Sequence, residues 1–339
     1  MSKTRPLGRL SDFVVEELPQ LLVDDPAAIP SKVEGFLREM VDTNQIHKAY
    51  FENRELCLLD LKFCEVALIK SKLDVPLILT NIVDFFCSGI NVPGLQYHEL
   101  VRVNPISDMR AYSTGEIRET EIMFYNAHRT VEDRLSRLVT AVDEFFADKE
   151  KNRRLITSQR DLMDFGPIRD RFVKLHGMKE GHFPFFRQFI SQPCPVRQVD
   201  GPSGAYSWRL PYLELSFWGS KLPQSYLDEM KDKGKYYSPN GRGAIERKLS
   251  QIHSSDTISG LSDDDRLCLL VPVVYDWIAF MATFRKMHEH AVVKQIPEVA
   301  QNKAPGTSGN LKAGEYLTKR IEEMQALYCF YKVTHPFGK

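Results

Sequence analysis

The chain lacks most of the local signatures that announce a chemistry. It has no G-x-G-x-x-G and no G-x-x-x-x-G-K-[ST], so dinucleotide and P-loop readings have no support. It has no H-E-x-x-H. GPSGAYS, from Gly201 to Ser207, lacks the G-x-S-x-G spacing and the preceding strand of a nucleophile elbow. Charge of one sign is also lacking: 45 basic residues meet 45 acidic ones, for a formal net charge of zero. A nucleic-acid binder usually carries a basic excess, so no nucleic-acid partner is expected. The six cysteines form no Cys-x-x-Cys pair. A chain this long needs no disulfide staples, so reduced, mostly buried thiols are predicted. The opening MSKTRPLGRLSDF has no apolar stretch to act as a secretory leader. The most apolar run, 267–281, is broken by Pro272 and Asp276 and is too short to span a bilayer. These absences predict a soluble, cytoplasmic protein with no membrane partner.

What is present is helical patterning. Apolar residues make up 43% of 339 residues, enough for a sizeable core. Leu56, Leu59, Phe63, Val66, Ala67 and Ile69 recur at helical spacing. A long amphipathic helix is predicted from Thr120 to Phe146, with Ile122, Ala127, Val131, Leu135, Leu138, Val142 and Phe146 on its apolar side. A third begins near Ser262, where a Ser-Asp-Asp-Asp run caps free amides and suits the helix dipole, and ends before Pro297. A last one covers about 311–331. Strand patterns are scarce; YHELVRVN, from Tyr97 to Asn104, is the best candidate for a short strand. The Pro-, Gly-, Ser- and Asn-rich stretches 104–117, 191–209 and 235–244 read as long loops, which are often functional. An all-α fold follows, with a smaller N-terminal helical region, 1–115, and a larger helical domain, 116–339.

In the helix ending near Ile296, Val274, Trp277, Ile278, Met281, Phe284, His288, Ala291 and Val292 share one face. His288 therefore points into an apolar stripe. His290 lies roughly 200° around the helix from it, so the two cannot ligate one metal from a regular helix. A hydrogen-bonded core histidine is the commoner meaning of such a residue; a metal ligand is the other. After the helix, Ala304 to Asn310 leads into the next one. Read alone it is a tight turn with a cap, or a Gly-rich cradle for a carboxylate at a helix N-terminus.

Taken together, FRKMHEHAVVKQI, a short linker and GTSGN resemble the C-terminal part of the haem-dependent indoleamine and tryptophan dioxygenases. Upstream, Phe185-Phe-Arg-Gln-Phe189, then 196–200, GPSGAYS and a segment ending Phe217-Trp-Gly219 occur in the superfamily's order. With RVNP from Arg102 and RAYSTG from Arg110, they are similar to the branch represented by monodechloroaminopyrrolnitrin synthase. The likeness is firmest over 181–332. It implies an indoleamine 2,3-dioxygenase-like helical domain binding haem b. It also implies His288 as the proximal iron ligand and Gly306, Thr307, Ser308 and Gly309 as the loop at propionate and substrate. Ser308 replaces a glycine of the family's loop, and Asn310 its final threonine. Arg187 takes the place of the arginine that pairs with the substrate carboxylate. Ser203, Gly204 and Ala205 read either as a plain loop turn or as a close-packed distal wall; in the second case Ser203 stands beside the chemistry and Gly204 and Ala205, with Thr307 and Asn310, beside the substrate.

A haem iron held by one neutral imidazole keeps a position open for dioxygen or peroxide, and a guanidinium can fix a carboxylate bidentately. The implied activity is oxidation of an aromatic amino acid, tryptophan or an indole derivative first, by a monomer or homodimer. Two alternatives stay open: a haem sensor or carrier without turnover, and a tyrosine-type haem hydroxylase.

Overall fold

The computed structural model describes residues 4–88, 94–147, 177–190, 197, 199, 201–202 and 204–252, with a few isolated positions beyond. The predicted helices of 262–296 and 311–331 lie outside the described residues. The chain is all-α, and no strand occurs among the described residues. Its helices are α1 (Arg9–Asp12), α2 (Leu18–Asp24), α3 (Ile29–Asp42), α4 (Gln45–Lys70), α5 (Leu77–Cys87), α6 (Gly115–Ala147), α7 (His182–Ile190), α8 (Arg209–Trp218), α9 (Gln224–Lys233) and α10 (Pro239–Ser250). The chain divides into two compact units. One holds 1–129, 178–206 and 307–309; the other holds 130–177, 207–306 and 310–339. None of the described helices is long and apolar enough to cross a membrane.

In the first unit α4 is the central helix, packing on α3, α5 and α7. From Leu56 to Leu68 every side chain of α4 is buried. A helix apolar on all sides would serve this position, yet three of those residues are charged: Asp60, Lys62 and Glu65. Each meets a partner. The Arg110 guanidinium donates to Asp60 at 2.6 and 3.1 Å, and Ser11 donates to the same carboxylate at 2.6 Å. Lys62 donates to Glu99 at 2.6 Å, and Glu65 accepts from Arg197 at 2.9 Å. Buried charges demand such pairing, since an unpaired one costs several kcal/mol, on the order of 3–5.

Ser11 comes from α1 and Arg197 from beyond α7; Arg110 and Glu99 come from the largely irregular stretch between α5 and α6. Its backbone is bonded by side chains instead of a ladder. Asn104 donates to the Arg110 carbonyl and accepts from the Arg110 amide. Arg129 donates to the carbonyls of Val101 and Asn104, the first at 2.7 Å. Glu121 accepts from the amides of Tyr112 and Ser113. Gly115 opens α6 at φ +54°, a left-handed turn that a side chain would strain.

Two expectations are corrected. The strand read at Tyr97–Asn104 is helical, with a π-turn at Glu99–Val103. Its alternation marks residues bonded by Lys62 and Arg129, not a pleat. The loop read at 235–244 contains the start of α10. There Ser238 caps Gly241 and Pro239 occupies the first turn. In this second unit, Gly241 lies flat on Trp208: a Cβ there would stand 2.3 Å from the indole Cδ1, so the pair has no room for a larger residue. The long helix predicted from Thr120 to Phe146 is present as α6. Cys57, Cys64 and Cys87 are free and buried, as expected of reduced thiols.

Asp60→Ala leaves the Arg110 guanidinium buried without its carboxylate. The expected loss is about 3–5 kcal/mol of unfolding free energy. Asp60→Leu with Arg110→Met should cost less than the two single losses summed. Urea unfolding of the three proteins checks both outcomes.

Candidate functional site

Along α6, Glu121, Tyr125, His128, Arg129 and Glu132 are polar residues buried on the face that also carries Val131 and Leu135. Neutral aromatic residues surround His128. The Phe124 ring lies 4.3 Å from its centroid and the Tyr97 ring 6.1 Å away, edge-on. Phe124 in turn meets Phe183 and Phe186 of α7, each at 5.5 Å. α7 is fastened to α6 by these rings and by the 2.9 Å contact of Thr120 Oγ1 with His182 Nδ1.

The state of His128 follows from its surroundings. Its Nδ1 is 2.9 Å from the Phe124 carbonyl, which can only accept, so Nδ1 carries the proton. Burial pushes its pKa below the usual histidine range, and the hydrogen bond to Phe124 offsets this only in part. The ring is therefore neutral near pH 7, with Nε2 as its lone-pair nitrogen. That edge faces Gly204: a Cβ built on Gly204 would sit 3.9–4.0 Å from His128 Cδ2 and Nε2 and from the Tyr97 ring. The site thus combines an aromatic wall, a basic imidazole nitrogen and a position where a glycine replaces a side chain.

Of the residues singled out in the sequence, the structure describes three in this unit. Gly204 stands against His128 and Tyr97. Arg187 is half-buried on α7, next in sequence to the fully buried Phe186. Ala205 belongs to the same short 3-10 turn, Gly204–Tyr206. Ser203, His288, Gly306, Thr307, Ser308, Gly309 and Asn310 lie outside the described residues. His128 and Tyr97 were not singled out by sequence reasoning. The signal that could have found His128 is the one that selected His288, a histidine at helical spacing from apolar neighbours, here Phe124, Val131 and Leu135.

The described rings suit a flat aromatic ligand. The rings offer stacking and edge contacts, beside an imidazole held neutral by burial. Among the described residues no group of three or more His, Cys, Asp or Glu side chains is placed to hold a metal ion. Comparison of the chain with protein-family models and with curated proteins gives no match.

The depressed pKa of His128 has a consequence for stability. As pH falls through the unfolded value near 6.5, the unfolded chain takes up a proton that the folded site refuses, so stability falls with acid. His128→Gln should flatten the stability profile between about pH 7 and 5. Chemical unfolding of both proteins across that range is the measurement; parallel profiles would rule out a neutral, buried His128.

Proposed function

We propose that the chain is a haem-dependent oxygenase acting on an aromatic amino acid, tryptophan or an indole derivative. The observation that supports this reading is the aromatic wall of Phe124, Phe183 and Phe186 beside His128. The residue before Arg187 is Phe186, and Phe186 packs on Phe124 beside His128. The order of the sequence motifs around His288 and Gly306–Asn310 supplies the other half of the argument by resemblance.

Haem b, held by His288 with Gly306, Thr307, Ser308 and Gly309 at a propionate, would supply activation of dioxygen or peroxide. The chain's own residues do the rest. Arg187 anchors the substrate carboxylate and so fixes the register of the ring. Tyr97, Phe124, Phe183 and Phe186 exclude water and hold the ring by its faces and edges. His128 Nε2 accepts from a ring N–H or holds a proton delivered there. Gly204 leaves open the space that a side chain would fill. Together these features support an enzyme that positions an aromatic ring, with turnover at the cofactor.

Purified protein supplied with haem should show a Soret band that His288→Ala loses. Tryptophan should perturb that spectrum. Arg187→Ala should weaken the response about ten- to a hundredfold, the loss of one charge-assisted pair. Mass spectrometry of products from tryptophan, tyrosine and related acids under labelled oxygen then assigns the substrate. No Soret band after supplementation would sink the reading. Haem binding with no response to any aromatic acid would favour a sensor or carrier.

A further inference from the structure

One buried group on α6 has no part in holding a ligand. Tyr125 is about 1% exposed and Glu121 is fully buried. The Tyr125 hydroxyl donates to Glu121 Oε1 at 2.6 Å. The same carboxylate accepts from the amides of Tyr112 and Ser113 and from the Ser113 hydroxyl. Tyr125 is one ring from the candidate site: its centroid is 6.1 Å from Phe124, which lies against His128.

We propose that Tyr125 and Glu121 form a redox-active pair, in which Tyr125 gives up one electron to a metal-centred one-electron oxidant while its phenolic proton passes to Glu121. The bond broken is Tyr125 O–H and the bond formed is H–Oε1 of Glu121. The products are a neutral phenoxyl radical and a neutral carboxylic acid, and the oxidant is reduced by one electron. A thiol or ascorbate reverses the change by returning an electron, with the proton moving back along the same hydrogen bond.

Charge bookkeeping favours this pair over its neighbours. Before the step a carboxylate is buried, and burial already pushes Glu121 toward its protonated form against the pull of its donors. After the step neither partner carries a charge, so oxidation leaves no ion in the interior. Tyr112 is the contrast. It stacks between Phe63 and Phe189 at 4.4 and 4.6 Å, and its buried hydroxyl has no hydrogen-bond partner. Oxidising it would leave a cation in an apolar stack. Tyr212 bonds Asp143 at 2.6 Å, but that carboxylate is half-exposed, so a radical there meets solvent. Tyr226, bonded to Glu214, is itself only partly buried. The Tyr125 pair is thus a shielded place to keep an oxidising equivalent away from the candidate site. It needs only a one-electron oxidant, so it stands or falls apart from the oxygenase reading.

The test uses the full chain without added haem. A ruthenium(III) polypyridyl oxidant is generated by light with persulfate as electron acceptor, and the sample is frozen for electron paramagnetic resonance. Ring-deuterated tyrosine identifies the radical. The expected result is a persistent tyrosyl signal in the wild type and in Tyr112→Phe, lost in Tyr125→Phe. In Glu121→Gln, which keeps an acceptor oxygen but cannot take the proton, the signal should also be lost, with the fold checked by circular dichroism. Persistence of the signal in Tyr125→Phe, or in folded Glu121→Gln, overturns the proposal. Should Glu121→Gln fail to fold, Tyr125→Phe decides, because it leaves the other donors to Glu121 in place.

Discussion

Everything in the first unit depends on the three charges buried in α4. Asp60, Lys62 and Glu65 sit where an apolar helix would be cheaper to bury, and each is tolerated only because a specific partner reaches it. Replacing such pairs with apolar residues is often neutral or stabilising, so their value is not raw stability. They fix which piece of chain lies where. Arg110 can satisfy Asp60 in one register alone, because Asn104 holds the Arg110 backbone by both its amide and its carbonyl. Lys62 likewise fixes Glu99, whose second oxygen takes the amide of Gln96.

That specificity propagates to the candidate site. The stretch between α5 and α6 has little regular structure of its own, and loose backbone cannot be buried with its amides and carbonyls unpaired. Ionic pins make its burial possible, and two rings are delivered as a result. Tyr97 arrives edge-on to His128, two residues before the Glu99 that Lys62 holds. Tyr112, two residues after Arg110, slides between Phe63 of α4 and Phe189 of α7. The second contact bears on function, because α7 carries Arg187. A helix of nine residues is too short to hold its own orientation. It is held by Tyr112 on one side and Phe124 on another. The direction in which Arg187 can reach is therefore set from α4 outward.

This dependence explains what could be read from the sequence. The all-α class was legible, because helical periodicity over 56–69 and 120–146 is a local property. The helical turn at Glu99–Val103 was not. Its residues alternate like a strand, and what overrules the alternation is Lys62, far away in sequence. α10 was missed for a different reason. Gly241 and Gly243 read as loop residues, but Gly241 is there for the close approach of Trp208, and the start signal at Ser238-Pro239 lies just before it. Gly204, which stands against His128 and Tyr97, lies in a segment that motif order had singled out, as does Arg187 on α7. His128 and Tyr97 were not singled out, since neither belongs to a motif and the two meet only through the fold. RAYSTG was flagged as a family segment without a reason. The structure supplies one: it carries Arg110, which pairs with Asp60, and Tyr112 and Ser113, whose amides hold Glu121.

The choice between an enzyme and a haem carrier turns on what surrounds the imidazole. A carrier needs an apolar pocket and an iron ligand, and polar groups elsewhere in the pocket are a cost to it. Here the wall includes a neutral histidine whose proton is fixed on Nδ1, leaving Nε2 as an acceptor beside a glycine. Under the proposed oxygenase reading, an indole N–H or a phenol O–H is the donor that an imidazole nitrogen among rings would meet. In the same proposal Arg187 of α7 would take the carboxylate. An aromatic amino acid with a polar ring atom would use both, which is why the proposal favours an oxygenase over a carrier.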